Sequence, residues 1–113
     1  MIKIPATIET NEDKVRFLCR VIELLRLEHN EWGKSFREGK LTEKEFRNYQ
    51  NGEFHQKISK ISLILNPIKE SLGMFQLDPR FNPSILPDDS RLLLEEQGKQ
   101  ETKWDSKIDL TQI

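Results

Sequence analysis

The residues with the most chemical potential are two histidines among carboxylates: His29 flanked by Glu28 and Glu31, and His55 two residues after Glu53. Imidazole with carboxylate is a donor set for zinc and di-metal centres. Metal-binding bundles present Glu-x-x-His on their inner faces. Here Arg26 stands three before His29 and Gly52 three before His55, so neither completes that motif. His29 is therefore read as an imidazole packed between Trp32 and Tyr49, in room left by Gly52. No metal or cofactor is expected; His29, His55 and Glu53 are the residues that would hold a metal. Cys19, the only cysteine, rules out an internal disulfide and reads as a buried, inert thiol. Asp88-Asp89 lies in a Pro-flanked stretch and reads as a helix cap.

Two broader constellations remain. Lys34, Arg37, Lys40, Lys44 and Arg47 gather positive charge beside Trp32 and Phe36, and Lys and Arg are what contact a phosphate backbone. Glu38, Glu43 and Glu45 are interleaved and cancel much of it, which favours a solvated face, with nucleic-acid binding as the alternative function. The stripe Trp32, Phe36, Phe46, Tyr49 and Phe54 has helical spacing and reads as core before it reads as a ligand pocket. There is no Gly-rich phosphate loop, HExxH, CxxC or nucleophile with an obvious base, so the chain is not expected to be an enzyme.

The elements that position these residues follow from periodicity. Val15, Leu18, Ile22, Leu25, His29, Trp32 and Phe36 form one helical seam; Phe54, Ile58, Ile61, Leu65, Ile68 and Leu72 form another. Helix 1 is predicted to begin at Thr10 or Asn11, with Glu12 and Asp13 in its first turn, and to stop at Gly39. Thr42 and Glu45 form a capping box for helix 2, with Leu41 stapled on Phe46. Gly52 and Asn66-Pro67 predict kinks or breaks, with Asn66 capping a fresh short helix, and Gly73 closes the element. Folding back near Lys40 pairs Phe36 with Phe46, Trp32 with Tyr49, Ile22 with Ile58 and Leu18 with Ile61.

The expected organisation is all-α: an extended arm over residues 1–10, an antiparallel helical hairpin over 11–72, and an irregular tail over 73–113. Alternation in Ile2, Ile4, Ala6 and Ile8 suggests an edge strand, pairing with another over residues 104–113. Between them, Pro79, Pro83 and Pro87 predict polyproline-like extension, and Asp88-Asp89-Ser90 could open a short helix around Leu92 to Leu94. The first 72 residues carry 13 Lys/Arg against 11 Asp/Glu and the rest carry 5 against 8, so the tail can lie against the helices.

Apolar content of 35% and charged content of 33% fit a thin helical protein. No stretch reaches a transmembrane length and the N-terminus lacks a signal-peptide core, so a cytoplasmic protein is expected. One hairpin seam leaves Phe17, Val21, Leu24, Leu27, Leu63 and Ile64 beside it, and such a cluster usually marks an interface. The functional expectation is a non-enzymatic protein-interaction module that dimerises into a four-helix bundle and also binds another protein through this face and its tail.

Overall fold

The computed structural model describes residues 3–73 and 100–113, and all regular structure among them is helical. Helix α1 spans Asn11–Arg37. Thr10 is extended and its hydroxyl accepts from the Asp13 amide at 3.2 Å, as expected of an N-cap. At the other end the Gly39 amide donates to the Phe36 carbonyl at 3.1 Å and the Lys40 amide to Ser35 at 2.9 Å. This pair of bonds is a Schellman closure, which needs a left-handed residue; Gly39, with φ 76°, supplies it.

The return limb is one rod in three parts: α2 (Glu43–Asn48), a π-helical turn (Tyr49–Phe54) and α3 (His55–Ser71). The capping box is present. The Thr42 hydroxyl accepts from the Glu45 amide at 3.1 Å, while the Thr42 amide donates to the Glu45 carboxylate at 3.2 Å. The predicted break at Gly52 is corrected to this wider turn. Helical dihedrals continue through Asn48, Tyr49 and His55, so the chain absorbs an extra residue without leaving the helix. Pro67 likewise lies inside α3, and Asn66 caps nothing new. Pro67 and Leu63, four residues earlier, are both exposed, so the carbonyl that Pro67 leaves without a donor lies on the watered side of the helix. Gly73, with φ 67°, follows its end.

The limbs pack antiparallel, in the expected register at the turn. The Phe36 and Phe46 rings are 5.3 Å apart, and Trp32 and Tyr49 stack at 4.1 Å, 3° from parallel. At the end of the π turn His29 meets Phe54 at 4.5 Å, where the expected register placed it opposite Gly52. The core at the other end is aliphatic around one aromatic ring: Val15, Phe17, Leu18, Val21, Leu25 and Ile61 are wholly excluded from solvent, with Ile22, Ile58 and Ile68 packed around them.

Among the described residues neither expected edge strand forms. Residues 5–8 make a turn closed by the Ile8 amide on the Pro5 carbonyl at 2.9 Å, and Ile8 lies in the core. Residues 100–113 form two 3₁₀ turns, Asp105–Lys107 and Leu110–Gln112. Trp104 is buried with Phe17 at its edge, while Ile108, Leu110 and Ile113 also pack on the core. Phe17 and Val21, expected at a dimer face, are therefore buried within the chain's own fold. That part of the interface expectation is corrected: the tail's last residues supply the missing cover. The Pro79, Pro83 and Pro87 stretch and the expected short helix at Leu92 to Leu94 lie outside the described residues.

Candidate functional site

Two constructions in the fold hold polar groups in defined geometry. The first is the aromatic end of the hairpin, built around the π turn. Widening the helix there places Tyr49, Gln50 and Phe54 all against α1. Tyr49 is 4% exposed; Trp32 covers one face of its ring and its hydroxyl donates to the Glu28 carboxylate at 2.9 Å. Burial, then the bond and the negative charge of Glu28, then Glu53, push its hydroxyl well above the usual tyrosine range. The phenol thus stays protonated and serves as a donor. His29 stacks obliquely on Phe54 and Phe46 and shares a 3.2 Å hydrogen bond between its Nε2 and the Gln50 side-chain amide. Beside this cluster, Glu31, Trp32, Ser35 and Leu41 line an open groove of about 300 Å³.

The second construction fastens the C-terminal segment. Arg20, 11% exposed at its side chain, grips Asp105 in a fork: Nε donates to both carboxylate oxygens at 3.1 Å and Nη2 to one of them at 2.8 Å. The Thr102 amide and hydroxyl donate to the same carboxylate at 3.1 and 2.8 Å. These bonds, the Arg20 guanidinium foremost, hold the Asp105 carboxyl below its ordinary range. The Lys103 ammonium lies 5.3 Å from the centre of the Trp104 ring, so the indole is clamped from several sides. Further along, the Thr111 hydroxyl and amide donate to Asp109, and Lys57 on α3 adds its charge to the forces that lower the Asp109 carboxyl.

The residues singled out in the sequence are only partly brought together. His55 is exposed and the Glu53 carboxylate pairs with Lys57 at 2.9 Å, so neither converges on His29. Among the described residues no three His, Cys, Asp or Glu side chains are arranged to hold a metal ion. The proposed role of Gly52 is corrected: a Cβ there would meet nothing within 4 Å, so it makes no room for the imidazole. His29 does not intercalate between Trp32 and Tyr49 either, because those rings stack directly on each other. Lys34, Arg37, Lys40, Lys44 and Arg47 are all exposed at the turn end. Lys40 is paired with Glu38 at 3.0 Å and Arg47 with Glu43 at 3.4 Å. Of the expected interface, Leu24 and Ile64 are half-buried, Leu27 is 47% exposed and Leu63 76%. Cys19 is half-buried against the core. Among the described residues no helix is long and apolar enough to cross a membrane.

Sequence reasoning missed Arg20, Gln50, Trp104 and Asp105 as members of these sites. Thr102-x-x-Asp105 was the available signal, because a threonine three residues from an aspartate closes a local polar turn. No family model, curated protein or solved structure matches this chain.

Proposed function

We propose that this chain is a non-enzymatic protein-interaction module whose hairpin face receives an extended peptide segment. The observation that carries this reading is the way residues 100–113 lie on that face. An aromatic anchor, Trp104, packs at the edge of Phe17; a two-pronged ion pair, Arg20–Asp105, sets its register; aliphatic Ile108, Leu110 and Ile113 follow. A segment without long helix or strand, held by one anchor, one charge pair and a few apolar side chains, has the composition of a bound peptide. In this reading the chain's own residues 100–113 occupy the face in cis, and a partner presenting an aromatic residue next to an acidic one competes for it.

The test uses full-length protein with Trp104→Ala, which removes the anchor and leaves the hairpin seam untouched. A labelled peptide of residues 100–113 is expected to bind this variant saturably and to bind the parent chain far more weakly. Adding Arg20→Ala to the variant is expected to abolish binding. No binding to a Trp104→Ala protein that retains its helical circular dichroism would remove the proposal.

A second reading, self-association into a four-helix bundle, is favoured by Leu27 and Leu63, the large apolar side chains left most exposed among the described residues. Light scattering across a dilution series tests it. A dimer that Leu63→Asp dissociates supports it, and a monomer at every concentration rules it out.

A further inference from the structure

We infer that the groove bordered by Trp32, Glu31, Ser35 and Leu41 is a binding site for an alkylammonium group, the head of a quaternary amine or a methylated lysine side chain. This inference is independent of the peptide reading above, because the groove lies at the turn end of the hairpin and the C-terminal segment at the other. The groove opens between α1 and the interhelical turn, and its volume of about 300 Å³ falls at the small end of ligand sites. Trp32 is half-buried, with one indole face stacked on Tyr49 at 4.1 Å, and it borders the groove with what Tyr49 leaves uncovered.

Two features make this aromatic wall attractive to a cation in particular. Indole has the strongest cation-binding face of the natural side chains. Behind it, the Tyr49 hydroxyl is committed as donor to Glu28, and Glu53 adds its charge to that environment, so two carboxylates back the ring pair. Glu31 brings a further carboxylate to the groove itself, while none of its lining residues is basic. Leu41 supplies an apolar surface suited to the methyl groups that such a cation carries. A phosphate or carboxylate ligand would find no cationic donor in this lining.

The test follows the two indole N–H signals of the full chain by NMR while choline is added, with its neutral isostere 3,3-dimethylbutan-1-ol as control. Two tryptophans make the readout selective. The Trp32 signal is expected to shift saturably with a dissociation constant on the order of a millimolar, and the Trp104 signal to stay in place. The neutral isostere should bind about two- to fivefold more weakly, the loss of one solvent-exposed cation–π contact. Glu31→Gln, an exposed change that leaves the fold intact, should weaken choline severalfold and leave the isostere unaffected. A trimethyllysine peptide in place of choline separates the sources: tighter binding than choline assigns the site to a modified protein tail, and equal or weaker binding to a free amine. Equal response to choline and its isostere, a shift confined to Trp104, or no saturable shift would overturn the assignment.

Discussion

Replacing Asp105 by Asn isolates the contact that fastens the C-terminal segment. The amide oxygen of Asn can still accept from the Thr102 amide and hydroxyl, so what is lost is the charge facing Arg20. A hydrogen bond to a charged group contributes about 1.5–3 kcal/mol, and the fork here is shielded, with side-chain exposures of 11% and 22%. Water reaching the carboxylate recovers part of that, leaving an expected loss of about 1–2 kcal/mol in urea unfolding at neutral pH. For a chain this long the melting temperature should fall by roughly 4–8 °C. The pH dependence fixes the cause. The folded carboxyl titrates below its ordinary 3.8, so on acidification the unfolded chain takes up its proton first and gains stability relative to the fold. The difference between parent and variant should therefore be constant above about pH 5 and shrink as the pH falls through the folded value. A difference below about 0.3 kcal/mol at neutral pH, or one that persists unchanged in acid, would refute the reasoning.

Three further outcomes follow from the packing. Val21→Glu places a carboxylate at a position with no solvent exposure and should cost more than about 3 kcal/mol, read as lost helical signal, where a surface position would leave the fold intact. Tyr49 is the only tyrosine, so phenolate absorbance reports it alone. Because its hydroxyl is raised above the ordinary 10.0, stability should fall as pH rises beyond about 10 and phenolate should appear together with unfolding; a reversible titration near 10 in folded protein would contradict this. Gly39→Ala, forced to φ 76°, should destabilise by about 1 kcal/mol, whereas Gly52→Ala, with open space around it, should stabilise by up to about 1 kcal/mol; chemical denaturation distinguishes the two signs.

The sequence was most informative where local chemistry and long-range packing agree. Thr10, Gly39 and the Thr42–Glu45 box each fix a helix end through bonds made within a few residues. The Phe36–Phe46 and Trp32–Tyr49 pairs then follow from turning the chain between those ends. What sequence periodicity could not convey was the π turn. Gly52 marks it, but whether a helix breaks or widens there depends on aromatic packing of Tyr49 and Phe54 against His29. Pro67 was over-read for a related reason, since the cost of its missing amide is small on a watered helix face. Arg20 and Asp105 are 85 residues apart, and no spacing rule links them. Alternation of Ile108 and Leu110 suggested a strand; the Thr102–Asp105 bonds and the Asp109 cap instead lead the chain into 3₁₀ turns that deliver the same apolar residues to the core.

The most direct measurement is the nuclear Overhauser effect between the Trp104 indole and the Phe17 ring, whose centroids lie 6.5 Å apart at 81°. It is recorded on uniformly labelled protein and on an equal mixture of labelled and unlabelled chains. Contacts in the first sample without cross-chain contacts in the second are the result expected of a segment folded onto its own hairpin. Absence of the contact, or its appearance only between chains, would contradict it.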